Sequence, residues 1–248
     1  MINRHTLVVG GTRGIGHGIV NNLAEDGHIL SVIGRRPPPV EGSTASSINY
    51  WALDILDDEL LEACLAEMTS QNGQLSSLIF CQRFRGDEDD WEGELETSLT
   101  ATKKLVERFV SQIDENNNNS IVIISSVASY FVAEEQPLSY HVGKAGLNQM
   151  VRYYAVTLGS KKIRINSVSP GLVLKEEAKQ FYRENESLHQ LYRSITPLAR
   201  MATPEDIGYI TAFLCSPKAS FITGQDIVVD GGLSLQMQHS LARQFLDG

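Results

Sequence analysis

Tyr140 and Lys144 stand four residues apart, and Ser126 precedes the tyrosine by fourteen. A spacing of four places two side chains on one face of a helix, so an ammonium can sit beside a phenol. A free phenol has a pKa of about 10 and carries protons poorly near neutrality. A nearby positive charge favours the phenolate and brings the group towards general acid/base chemistry. A serine hydroxyl close by would hold a carbonyl or alcohol oxygen in line with the phenol. The same spacing also describes a solvated surface pair, so its meaning depends on the rest of the chain.

A second chemical feature lies near the N-terminus, in Val9-Gly10-Gly11-Thr12-Arg13-Gly14-Ile15-Gly16. Glycines at 10, 14 and 16 let a backbone turn sharply and approach a pyrophosphate without Cβ clashes. The helix predicted to follow presents free amides and its positive dipole end to an anion. The spacing differs from Gly-x-Gly-x-x-Gly but has the same mechanics. The second predicted strand ends Ile33-Gly34-Arg35-Arg36, without the acid that binds a ribose 2′-hydroxyl in many NAD sites. Arg13, Arg35 and Arg36 would suit an extra 2′-phosphate, which favours NADPH over NADH. The alternative for Arg35 and Arg36 is simple solvation. Asp54 either caps the next helix or binds the adenine amino group.

These residues need elements to position them. Strand-length apolar runs are predicted at 6–10, 29–34, 48–53, 77–81, 120–125, 163–168 and 226–229, and helices at 15–25, 58–70, 91–113, 139–158, 176–194 and 204–215. Continuous runs such as Ile121–Ile124 suit strands buried on both faces. The alternation predicts a single α/β domain over 1–248, with a Rossmann-like, doubly wound, mostly parallel seven-stranded sheet and helices on both faces. Asn116–Asn119 reads as a solvated turn before the fifth strand, and Pro37–Pro39 as the loop that stops the second.

The bulk properties narrow the function further. The chain has 248 residues and a net charge of −9, which argues against nucleic acid or an anionic membrane as partner. Cys64, Cys81 and Cys215 match no metal or disulfide spacing and are expected as reduced thiols in a cytoplasmic protein. No metal site is expected. The N-terminus runs straight into a strand, so neither a signal peptide nor a membrane span is expected.

With the glycine turn, the Ser126/Tyr140/Lys144 set and Asn166-Ser167-Val168-Ser169-Pro170-Gly171, the chain resembles the short-chain dehydrogenase/reductase family. The resemblance continues through Thr196-Pro197-Leu198-Ala199-Arg200, Pro204-Glu205-Asp206-Ile207, Phe213-Leu214-Cys215-Ser216, Ile222-Thr223-Gly224-Gln225 and Asp230-Gly231-Gly232. It points to the carbonyl- and 3-oxoacyl-reducing members. It implies that Tyr140 is the general acid, that Lys144 holds the nicotinamide ribose and lowers the tyrosine pKa, and that Ser126 binds the reacting oxygen. It further implies cofactor contacts from Gly10, Thr12, Arg13, Gly14, Ile15, Gly16, Arg35, Arg36, Asp54, Ile55, Cys81, Tyr140, Lys144, Pro170, Gly171 and Val173.

The chain also departs from the family pattern. Val9 replaces a threonine, and Phe80-Cys81-Gln82-Arg83 replaces Asn-Asn-Ala-Gly, so Arg83 must either take another backbone path or swing outward. The family's fourth catalytic residue, an asparagine, corresponds to Ser98, and Lys175 stands for a threonine that contacts the carboxamide. The serine-to-tyrosine spacing is one residue longer than the commonest family pattern, which makes Ser125 the alternative to Ser126, although Ser125 is expected to point the other way. Residues 173–195 correspond to the substrate lid. Its Phe181, Tyr182 and Tyr192 either pack on the core or meet substrate, and with Tyr130, Phe131 and Trp91 they suggest a moderately apolar ketone or acyl group. The family forms dimers or tetramers through its long helices, and the 233–248 tail is expected against a neighbouring subunit. The expected function is hydride transfer between NADPH and a carbonyl or alcohol. The altered residues leave open a weakened nucleotide-binding scaffold, and a third alternative is an NAD-linked polyol or hydroxysteroid dehydrogenase.

Overall fold

Valine, isoleucine and leucine recur through seven short strands, which satisfy their backbones by pairing with one another. They are β1 (His5–Val9), β2 (Ile29–Gly34), β3 (Ile48–Ala52), β4 (Leu75–Phe80), β5 (Asn119–Ile124), β6 (Ile163–Pro170) and β7 (Asp226–Val229). The computed structural model describes residues 4–36, 47–86, 89–113 and 118–244. The strands form one sheet in the order β3-β2-β1-β4-β5-β6-β7, and every pairing is parallel. β1, β4, β5 and β6 are buried along their whole length. That explains the apolar runs Leu7–Val9 and Ile121–Ile124, because both faces are covered, whereas β6 is as fully buried and still carries Arg164, Asn166, Ser167 and Ser169.

The covering helices are α1 (Gly14–Glu25), α2 (Asp58–Asn72), α3 (Trp91–Leu95), α4 (Ala101–Gln112), α5 (Leu138–Leu158), α6 (Lys179–Glu184), α7 (Glu186–Ile195), α8 (Pro204–Cys215) and α9 (Gln238–Gln244). Successive strand residues point to opposite faces. Leu7 and Val9 join Leu61, Leu105 and Leu147 under α2, α4 and α5, while Val8 joins Ile19, Leu23 and Ile207 under α1 and α8. Each such fully buried side chain contributes roughly 1.5–3 kcal/mol. α1 and α8 pack closely enough that a Cβ on Gly208 would stand 2.0 Å from Asn22 Oδ1. α8 is started by a Thr203/Asp206 capping box, with Arg200 clamping the aspartate.

Several expectations change in detail. The predicted 91–113 helix is three segments, because a π-helical turn at Glu96–Thr100 separates α3 from α4. The predicted 176–194 helix becomes a 3-10 turn (Glu176–Ala178), α6 and α7, broken at Asn185, which leaves helical geometry at φ −120°, ψ 55°. β6 runs on to Pro170, beyond the expected end at 168. Asn119, expected in a turn, is fully buried and opens β5. Asn116, Asn117 and Pro37–Pro39 lie outside the described residues. No helix among the described residues is long and apolar enough to cross a membrane.

Candidate active site

Between β1 and β4 the strand order reverses, and crevices at such points form beyond the carboxyl ends of the strands. A cavity of about 520 Å³ opens here. Its floor is the glycine turn. Gly10 (φ 78°) and Gly14 (φ 52°) take left-handed backbone that favours glycine. A Cβ on Gly10 would stand 2.7 Å from the Gln82 amide nitrogen, and one on Gly16 2.2 Å from the Gly10 carbonyl oxygen. No side chain caps the first amides of α1. They remain available to an anion, as a pyrophosphate requires, so this cradle fits a dinucleotide.

The expected contacts from Gly10 and Thr12–Gly16, from Arg35 and Arg36 after β2, and from Asp54 and Ile55 after β3 all line this cavity. Thr12 is buried against Gly34, and Arg35 and Arg36 are exposed. Of the two roles open to Asp54, the helix cap belongs instead to Asp57, whose carboxylate accepts from the Leu60 amide at 3.0 Å. Asp54 holds the preceding turn by accepting from the Leu56 amide at 3.0 Å.

α5 brings Tyr140 and Lys144 to the same cavity. Lys144 is 5% exposed, and its Nζ donates to the Ile124 carbonyl at 3.0 Å. That ammonium stands 5.6 Å from the Tyr140 ring centroid. A second cation covers the ring: the Arg83 side chain lines the cavity and lies over the phenol, with Cζ 4.9 Å from the centroid, rather than swinging outward. Its Nη2 donates to Gln136 Oε1 at 2.6 Å. Gln82 turns the other way and donates to Thr102 Oγ1 at 2.8 Å. Burial pushes the neighbouring Cys81 thiol up to about 12, against the opposing pull of Lys144, which leaves it inert as a nucleophile.

His141 fixes the entry to α5. The Ala133 amide donates to its Nε2 at 3.0 Å, so the ring proton sits on Nδ1, which donates to the Pro137 carbonyl at 2.8 Å. Ser126 accepts from the Ala128 amide at 3.1 Å and keeps its hydroxyl hydrogen free to donate elsewhere. Ser125, expected to point away, is buried, lines the cavity and donates to the Lys144 carbonyl at 3.2 Å. Its hydrogen is thereby spent on holding α5.

Ser98 lies in the π-helical turn, a feature that often marks functional sites. Its hydroxyl donates to Glu94 Oε1 at 2.5 Å, and both residues are buried. Glu94 in turn packs against Gly143, the neighbour of Lys144. Ser98, Ser126, Pro170, Gly171 and Val173 are not among the residues lining the cavity. Pro170 ends β6, Gly171 donates to the Val229 carbonyl at 3.0 Å, and Val173 bridges to Ala202.

Lys175 and Glu177, from the 173–195 segment, approach the glycine turn from the other side. The Lys175 stem and Glu177 Oε1 would lie 3.3 and 3.1 Å from a Cβ on Gly14. Burial, then the Arg83 guanidinium, lowers the Lys175 pKa from its ordinary value. No residue of α6 or α7 is buried. Tyr182 instead packs against His189 and Tyr192, with ring centroids 5.5 and 6.2 Å away. Tyr130 is turned from the cavity wall, donating to Asp226 Oδ2 at 2.7 Å, and Trp91, Phe131, Phe181, Tyr182 and Tyr192 do not line the cavity either. Gln136, Glu94 and Glu177 carry no motif in the sequence, and Gln82 stands out only as part of the altered segment after β4. Only Glu94 left a trace, as a carboxylate one helical turn before Ser98.

A family model described as Enoyl-(Acyl carrier protein) reductase matches residues 9–234. A 3-oxoacyl-[acyl-carrier-protein] reductase of Aquifex aeolicus is 30% identical, over 92% of this chain and 96% of its own. One from Staphylococcus aureus is 29% identical over 94% and 98%. The crystal structure of a short-chain type dehydrogenase/reductase from Mycobacterium ulcerans superposes with a TM-score of 0.82 at 27% identity, covering 94% of this chain and 90% of that one.

Proposed function

Because the chain belongs to the short-chain dehydrogenase/reductase family of NAD(P)-dependent oxidoreductases, we propose that it reduces a carbonyl compound to an alcohol with NADPH, with Tyr140 as general acid. One observation carries this reading: the Tyr140/Lys144 pair and the glycine turn line a single cavity. A nicotinamide held by the glycine turn and Lys144 would supply the hydride chemistry. Tyr140 gives its phenolic proton to the carbonyl oxygen, and Ser126, outside the cavity lining, would have to turn its hydroxyl inward to donate to the same oxygen. Lys144, fixed on the Ile124 carbonyl, has two N–H groups left for a ribose hydroxyl and sets positive charge beside the phenol. In the reverse direction the same groups accept the alcohol proton.

The turn amides and Lys175 would hold the pyrophosphate. Arg13, Arg35 and Arg36 at the adenosine end support an added 2′-phosphate and hence NADPH. The names of the similar reductases support a 3-oxo compound as substrate. Exposed Val142, Tyr153 and Val156 on α5 and Leu235 in the tail support burial against a second copy of the chain, and three free cysteines support a cytoplasmic setting. The test is to titrate NADPH and NADH by fluorescence and then follow cofactor oxidation over diketones, acetoacetyl thioesters and aromatic aldehydes. Tyr140→Phe should bind NADPH normally and lose turnover at least a hundredfold, the usual worth of a general acid. Undiminished turnover in that variant would refute the mechanism. Binding without turnover in the wild type would favour a nucleotide-binding scaffold.

A further inference from the structure

The chain carries a net charge of −9, yet seven cationic and two carboxylate side chains line the cavity. Such local inversion marks an anion site. Part of it belongs to the cofactor: Arg13, Arg35 and Arg36 lie at the adenosine end, and Lys175 reaches the glycine turn beside Gly14. Arg83 and Arg85 are left over. They flank Phe84, whose ring is gripped between Gly86 and Gly93; a Cβ on either glycine would stand 2.3 or 2.5 Å from it. This grip pins the segment after β4, sets the Arg83 guanidinium over the Tyr140 ring, and leaves Gln136 as its neutral anchor. Neither arginine makes an ion pair among the described residues. Their charges act on the Lys175 ammonium in the same direction, lowering its pKa after burial has done so. Arg83, Arg85 and Lys175 are thus crowded with Lys144 at the reactive end, with Glu177 the one carboxylate opposing them in the cavity wall there.

Resting on the reductase reading above, we infer that Arg83, supported by Arg85, binds a carboxylate of the substrate, making the substrate a short oxo acid. A planar guanidinium takes a carboxylate through two parallel N–H···O bonds. Arg83 covers the phenol ring itself, so the anion it holds lies next to the oxygen that Tyr140 protonates. Only an acid whose carboxylate is close to its carbonyl fits both groups together. Arg83 is therefore a specificity residue, and it replaces the apolar acyl preference expected from the aromatic residues, which do not line the cavity.

The experiment compares acetoacetate with methyl acetoacetate, which lacks this charge and adds one methyl group. Binding is measured on the wild-type protein saturated with NADP+, a complex that cannot turn over, by quenching of intrinsic fluorescence. Acetoacetate should bind about tenfold tighter than the ester, the worth of a charged hydrogen bond. Arg83→Gln should erase that preference, and Arg83→Lys should restore part of it, with NADP+ affinity and melting temperature unchanged in both. Equal binding of acid and ester, binding of neither, or an Arg83→Gln effect on NADP+ alone would overturn the inference. Failure of the reductase reading looks different: neither compound would oxidise NADPH while the preference for the acid persisted.

Discussion

Replacing Gly16 by alanine tests how the phosphate cradle works. The added methyl would stand 2.2 Å from the Gly10 carbonyl oxygen and 2.9 Å from the Gly11 Cα. An ordinary contact of this kind needs about 3.5 Å, so the Gly10 carbonyl must retreat by about 1 Å. It has nowhere to go, because a Cβ on Gly10 would already meet the Gln82 backbone at 2.7 Å, and the Gly10 amide is tied to the Ile33 carbonyl at 2.8 Å. The strain should cost roughly 1–3 kcal/mol as overpacking, against about 1 kcal/mol gained from alanine's helix propensity. Stability should fall only slightly. Cofactor binding should suffer more, because losing one charged hydrogen bond to a phosphate costs about 1.5–3 kcal/mol, or about ten- to a hundredfold in affinity. Gly159→Ala is the control: Gly159 is helical at φ −59°, and a Cβ there meets nothing within 4 Å. NADPH titration by fluorescence and a thermal melt on both variants suffice. If Gly16→Ala binds NADPH as the wild type does, the cradle does not act through backbone approach.

Other consequences are as direct. Ser98→Ala removes the one hydrogen bond described for the buried Glu94 carboxylate and should destabilise the fold by about 1–3 kcal/mol; an unchanged melting temperature would show the contact to be idle. Phe84→Ala should loosen the segment carrying Arg83 and lower selectivity for acetoacetate over its ester, measured as the ratio of kcat/KM values. His28 is buried on Thr6, and burial, then the Arg4 charge, lowers its pKa to about 4. The unfolded chain then binds this proton more readily than the folded one. Its contribution, up to about 3 kcal/mol, is present above pH 6.5 and is lost as pH falls towards 4. Melting curves from pH 7 to 4 should show that decline, and His28→Gln should flatten it.

Local patterns carried far in this molecule. Val8 and Leu7 reveal by type alone that β1 is covered on both faces, and Gly10, Gly14 and Gly16 place the phosphate turn because its constraint is a matter of neighbouring backbone atoms. What the sequence hid depends on long-range placement. The π-helical turn inserts a residue into what reads as one helix from 91 to 113, and so buries Ser98 with Glu94. Asn119 looks like a turn residue because asparagine favours turns, but pairing with β6 overrides that preference. Phe181, Tyr182 and Tyr192 follow a helical period, but the break at Asn185 folds them onto one another. Arg83 reads as an awkward substitute for glycine until α5 places Tyr140 beneath it.

The glycine turn also sets an order of events as the chain emerges from the ribosome. Its backbone comes from the start of the sequence, but one wall is Gln82, which β4 delivers only after two further strands and α2 have been made. Contacts between distant parts of a chain form late, because loop closure must come first. Tyr140 and Lys144 follow later still. A nascent chain ending before β4 holds every glycine of the motif and no site for a dinucleotide, so cofactor capture belongs to the last stages of folding, when it can lock the finished sheet.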